Sequence, residues 1–290
     1  MNQYLKQLSI LICLAILPFG PTYSQHPDKI STTYQDKLLD IFGYQEALQH
    51  VHPFVQYLYP VAIVQDGYFY VFDLTDNADA YVLTAWEETG MDVPVGVRAA
   101  FTLPFYDNRC ACIVTGEVFD SQAGYVTIFH EFIHCHQWHT VEPSLREGLP
   151  LAVRMTEEGN YMWEMNYPFP YDDSWFVNTY TAFIAALDSG QTDEAMQLRQ
   201  SLQTTLKSED HQYMVWQEWK EGFALYIENL LRTELGMETN NVGRQTPYGR
   251  TVFYAGGEAY IKYLINETPS LGEDIQTLFK TMLQGNILTE

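Results

Sequence analysis

YVTIFHEFIHCHQWH, residues Tyr125–His139, holds the pattern His130-Glu131-Phe132-Ile133-His134, an H-E-x-x-H. Aromatic and aliphatic residues surround it, and no Pro or Gly interrupts it. These features predict a helix, with Ser121 placed to cap its start. On a helix, side chains four apart lie one above the other. His130 and His134 can then direct one imidazole nitrogen each at a single metal ion, ~2 Å away. Glu131 stands one residue on, where a carboxylate can take a proton from water held at the open metal position. The plain alternative is an apolar structural helix that carries the pattern by chance and binds no metal.

Outward from this stretch, the chain changes texture on either side. Thr33–His50 has apolar residues at helical spacing, at Tyr34, Leu38, Leu39, Ile41, Phe42 and Leu48. Val61–Val64, Tyr68–Phe72 and Ala80–Leu83 are β-branched and aromatic, separated by Asp66-Gly67 and Asp73–Asn77, which are strand and turn signals. Val93–Phe105 and Cys110–Phe119 read as two more strands. After His139 the pattern is almost wholly helical: Ser144–Glu158, Trp175–Leu187, Thr192–Leu206, Tyr213–Leu235, Gly256–Ile265 and Leu271–Leu283. The expected fold class is α+β. A β-containing N-terminal half (26–139) leads into the helix with the two histidines, and a mostly helical C-terminal half (140–290) follows. Residues 26–290 are expected to form one unit.

Met1–Gln25 stands apart. Lys6 is its one charge, an apolar run covers Leu8–Leu17, and Pro18, Gly20, Pro21 and Ser24 follow. This is the pattern of a secretory signal peptide, and the run is too short to span a membrane. The expected location is secreted or periplasmic, with no membrane span in the mature chain. Without that leader the chain keeps 14 of 15 basic residues and all 37 acidic ones, a net charge of −23. Nucleic acid binding requires a basic surface, so this balance argues against it. Three cysteines remain, Cys110, Cys112 and Cys135. Cys110 and Cys112 are too close to bridge each other comfortably. Either one of them pairs with Cys135, or all three are buried thiols.

Two histidines make an incomplete catalytic metal site, because three protein ligands plus water is the norm. His136 and His139 lie off the face shared by His130 and His134, and are expected to pack or to line the surface. The stretch Trp216–Glu228, WQEWKEGFALYIE, contains Glu221-Gly222-Phe223-Ala224-Leu225-Tyr226-Ile227-Glu228. A helix of this kind after an upstream H-E-x-x-H resembles the gluzincin group of zinc metallopeptidases. The resemblance implies that Glu221 is the third zinc ligand and that Gly222 and Ala224 let its helix approach the first. A carboxylate from a second packed helix would complete three ligands and leave a fourth position for water. The spacing departs from the family pattern, since three expected helices separate Glu221 from His134. Glu147, in the closer Arg146-Glu-Gly-Leu-Pro-Leu-Ala152, is the rival, and Glu157 and Glu158 are further ones.

Phe253–Leu264, FYAGGEAYIKYL, resembles an element of aminopeptidase-like gluzincins in which a tyrosine hydroxyl bonds the oxyanion. Tyr254 is the matching position, with Tyr248 the second choice. No G-x-M-E-N-type element precedes the helix, so the resemblance does not extend to binding a free substrate amine. The resemblance implies one Zn2+ on His130, His134 and Glu221, with catalytic roles for Glu131 and Tyr254, and a peptide or protein substrate. Glu218 or Glu228 would support the ligand imidazoles. The alternatives are an inactive binding protein of zincin fold, or a zinc hydrolase of a non-peptide amide or ester.

Overall fold

A computed structural model describes residues 27–285 of the chain. The expected leader, Met1–Gln25, lies outside the described residues. Helix α1 (Pro27–Leu48) buries Ile30, Tyr34, Leu38, Ile41 and Leu48, a stripe at three- and four-residue spacing. After a 3-10 turn at Pro53–Gln56 come β1 (Val61–Gln65), β2 (Tyr68–Leu74), β3 (Tyr81–Glu88), β4 (Arg98–Leu103) and β5 (Arg109–Thr115). They form one sheet in the order β3-β2-β1-β5-β4. Asp66 and Gly67, both at positive φ, make the tight β1–β2 turn that pairs Gln65 with Tyr68. The β1–β5 pair is parallel and central, and the remaining neighbours are antiparallel.

The central strands are buried on both faces, which is why they read as continuous apolar runs. Val61 and Ile63 of β1, with Cys112 and Val114 of β5, join the main core. Ala62, Val64, Ala111 and Ile113 form a smaller core on the opposite face, covered by Val93, Val97, Phe105 and Tyr106. The expected strands Val93–Phe105 and Cys110–Phe119 are shorter than their apolar runs. The ends of the first cover the sheet instead of extending it, and the second passes at Thr115 into a 3-10 turn, Gly116–Asp120.

Helix α2 (Gln122–Thr140) begins at Ser121, whose hydroxyl accepts from the Gly124 N–H at 3.1 Å. It packs on β4 and β5 on one side and on the helical half on the other, so apolar residues surround it. The helical half continues with α3 (Glu142–Gly148), α4 (Pro150–Glu157), α5 (Trp163–Asn166), α6 (Ser174–Asp188), α7 (Thr192–Thr205) and α8 (Ser208–Gln217). A π-helical turn, Glu218–Gly222, joins α8 to α9 (Phe223–Glu234). Then come α10 (Val252–Glu267), a 3-10 turn (Pro269–Gly272) and α11 (Ile275–Gln284).

Two expected helices differ in ways that have physical causes. Ser144–Glu158 is two helices, not one, because Leu149, preceding Pro150, is extended at φ −95, ψ 111. The helix expected over Tyr213–Leu235 starts five residues earlier and contains the π turn. Among the described residues, no helix is long and apolar enough to cross a membrane.

Candidate metal centre

α2 carries His130, Glu131 and His134, all buried, with the two imidazole centroids 4.9 Å apart. The π turn brings Glu221 to them. Donor atoms of His130, His134 and Glu221 all lie within 4.8 Å of one another. His134 Nε2 is 3.3 Å from Glu221 Oε2. Donors bound tetrahedrally at ~2 Å stand roughly 3.3 Å apart, so this pair already has the spacing of two zinc ligands. Two imidazoles and a carboxylate are also a donor set suited to zinc. The rival ligands lie elsewhere: Glu147 and Glu157 are exposed, and Glu158 is exposed and paired with Arg154 at 2.8 Å.

The π turn explains how two nearby glutamates serve different ends. Residues three apart share a face of an α-helix. An i→i+5 turn holds an extra residue, and such turns recur at functional sites. Glu218 enters the helical core, where Arg199 meets its carboxylate with two contacts of 2.8 Å and Tyr180 donates at 2.7 Å. Glu221 instead faces α2. Gly222 contributes by a close approach, and the atoms nearest to it belong to α10. A Cβ on Gly222 would stand 2.5 Å from Gly257 Cα of α10, and one on Gly257 would stand 2.3 Å from the Glu218 carbonyl oxygen.

Each ring has a partner on its far nitrogen. His130 Nδ1 lies 2.9 Å from Glu228 Oε2, a contact off the axis of the ring N–H. Glu228 is in turn held by Arg232 Nε at 2.7 Å and Asn240 Nδ2 at 3.1 Å. Of the two supporting carboxylates the sequence left open, Glu228 therefore reaches an imidazole and Glu218 does not. His134 Nδ1 lies 3.0 Å from Gln137 Oε1. Carboxylate and amide partners on ligating histidines fix ring orientation and ligand basicity.

The electrostatics favour a cation. Burial weighs against charge on His130, but Glu228, Glu131 and Glu221 outweigh it and lift its pKa to about 9. Burial would raise Glu221, yet His134, Arg250 and His130 hold it well below the usual carboxylate range. Glu228 is held at about 2 by His130, Arg232 and Asn240, again against burial. Glu131 behaves differently. Burial pushes it up, Glu221 and Glu228 add to that, and the two histidines only partly offset it. Among the three glutamates of this cluster, Glu131 is thus the one pushed toward its protonated form.

Tyr254, on α10, is close enough to Glu221 that burial and that carboxylate together raise its phenol pKa. Arg250 was not foreseen. Its Nη1 donates to Glu221 Oε1 at 2.8 Å and to Gln217 Oε1 at 3.2 Å, and its guanidinium sits 5.4 Å from the Tyr254 ring centre. It comes from the loop before α10, where no periodicity marks it. Gln137 was also missed, although its i+3 spacing from His134 on one helix would have pointed to it.

The other singled-out residues have separate roles. His136 packs on Phe54 and Tyr57 and contacts the Tyr59 hydroxyl at 2.9 Å, while exposed His139 stacks on Tyr59. Tyr248 bonds Thr181 at 2.6 Å. Cys110, Cys112 and Cys135 are buried free thiols, and it is Cys110 Sγ, not Cys112, that touches Cys135 Sγ, at 3.0 Å. A cleft of about 980 Å³, lined by residues such as Tyr34, Asp66, Glu88 and Glu117, includes no member of the histidine cluster. Compared with protein-family models, curated proteins and solved structures, the chain matches none.

Proposed function

We propose that this chain is an exported, single-zinc metallopeptidase of gluzincin type, with His130, His134 and Glu221 as ligands. The observation that carries the reading is the meeting of those three donors from two distant segments, with Glu131 buried beside them. Zinc bound there would supply Lewis acidity toward a scissile carbonyl and a lowered pKa for water. Glu131 accepts the proton of the attacking water and passes it to the leaving amine. Its burial beside the three donors supports that role. Tyr254 donates its phenol hydrogen to the oxygen that gains charge. Arg250 holds the Glu221 carboxylate in place through Oε1, leaving Oε2 on the His134 side. Glu228 and Gln137 orient the two rings.

The test is zinc content by elemental analysis, combined with cleavage of casein or quenched peptides by wild type and Glu131→Gln. The proposal requires one zinc per chain in both proteins and loss of cleavage, by at least about a hundredfold, in the variant. Stoichiometric zinc with no turnover in either would favour the inactive binding protein. Zinc with turnover of amides or esters alone would favour the non-peptide hydrolase. Absence of zinc would overturn all three.

A further inference from the structure

Gln137 lies wholly inside the protein, one helical turn beyond His134. A buried amide must satisfy two N–H donors and one carbonyl acceptor. One side of this amide faces the π turn, where Nε2 is 3.2 Å from the Trp219 carbonyl oxygen and 3.3 Å from that of Lys220. Carbonyls only accept, so the nitrogen must face them. Amide orientation is otherwise ambiguous, and here two acceptors settle it. The oxygen is then left facing His134 Nδ1 at 3.0 Å. That oxygen can only accept, so Nδ1 must carry a hydrogen. In a neutral ring, Nε2 then keeps its lone pair. Nε2 is the atom that stands 3.3 Å from Glu221.

We infer that Gln137 is a positioning residue that sets the tautomer of His134 and locks α2 to the backbone of the turn bearing Glu221. The inference rests on the metal-site reading above. One side chain thereby fixes two ligands at once: the ring through Oε1, and the glutamate through the two carbonyls just before it. The two histidines are consequently not equivalent. His130 has an anionic partner and His134 a neutral one.

Two substitutions separate the halves of this role. Gln137→Met keeps the length and removes every hydrogen bond. Gln137→Glu keeps an acceptor for His134 but cannot donate to the carbonyls while ionised. Zinc affinity of the apoproteins is measured by competition with a chromogenic chelator, with folding checked by circular dichroism. Both variants are expected to bind zinc at least about tenfold more weakly than wild type. A Met variant within twofold of wild type would overturn the inference, and so would a Glu variant within twofold, since the carbonyl bonds would then add nothing. Should a variant fail to fold, the zinc-loaded wild type labelled with 15N-histidine still decides the question. With the metal on Nε2, His134 is expected to show a slowly exchanging hydrogen on Nδ1, and an Nδ1 without one would refute the assignment. Failure of the zinc reading is distinguished separately, because wild type would then bind no zinc.

Discussion

Glu218 and Glu221, three residues apart in one π turn, face opposite ways: Glu218 meets Arg199 at 2.8 Å and Glu221 meets His134 at 3.3 Å. One carboxylate anchors the turn in the helical core and the other is presented to α2. The first is an ion pair inside the helical core, and the second is a contact between two candidate metal donors.

Removing Arg199 leaves Glu218 charged and buried with Tyr180 as its remaining donor. Arg199→Met should destabilise the fold by ~3–5 kcal/mol, because an unpaired buried charge is costly. The double variant with Glu218→Met should recover much of that loss, since a buried ion pair often contributes little beyond an apolar pair of similar size. Urea denaturation of the three proteins measures both effects. A single Arg199→Met variant as stable as wild type would contradict the anchoring role.

The third ligand is tested by comparing two glutamates. Glu221→Ala should lower zinc affinity at least about tenfold, and Glu147→Ala, on the exposed face of α3, should leave it unchanged. Chelator competition on the two apoproteins gives the answer, and the reverse order would move the site to α3. Loss of Glu221 also removes the carboxylate that Arg250 engages.

Gly222 should resist even one added methyl. The atoms a Cβ would strike belong to the Gly257 backbone and the Glu258 nitrogen, which cannot swing aside as a side chain could. Gly222→Ala should therefore cost ~1–3 kcal/mol by overpacking and weaken zinc binding as Glu221 shifts. Gly148→Ala is the control, because nothing lies within 4 Å of the added carbon. It should be neutral or slightly stabilising in the same thermal melts.

What the sequence made legible was local. The His130–His134 pair and the Ser121 cap depend on spacing within one helix, and spacing is visible in a string of residues. The central strands were legible because Val61–Val64 is apolar at every position. Glu221 could be singled out by its small neighbours, but the tightest approach at Gly222 is to Gly257 on α10, a contact between segments far apart in sequence. The π turn left no local sign. It arises where Arg199 and His134 lie on opposite sides of one helix, each pairing with a carboxylate, and that arrangement exists only after packing. Arg250 was invisible for the same reason, since a loop arginine acquires a role only from what the fold sets beside it. Pro150 was visible inside the expected Ser144–Glu158 helix, and the break falls on Leu149 just before it.

Acid should unfold this protein through buried histidines outside the His130–His134–Glu221 cluster. His52 caps the 3-10 turn by accepting from the Phe54 N–H through Nδ1, and its Nε2 contacts the Gly272 carbonyl oxygen at 3.1 Å. Burial lowers its pKa to about 4, and the Gly272 carbonyl recovers only part of the drop. His211 is brought to about 4 by burial, with Arg199 adding to the effect. In the unfolded chain both titrate near ~6.5. Above that pH neither state takes the proton, so their neutral packing is undisturbed. Between about 6.5 and 4 the unfolded chain binds protons that the native one refuses, and stability falls with pH. Below about 4 both states are protonated and this loss levels off. The loss is on the order of 2–3 kcal/mol for each histidine. His136 is likewise brought to about 4 by burial and adds a similar share. Thermal midpoints recorded from pH 7 to pH 4 should fall steadily, and His211→Gln should remove roughly a third of the histidine-dependent slope. An unchanged slope in that variant would show that His211 is already protonated in the native state, and would refute its assignment as a buried neutral ring.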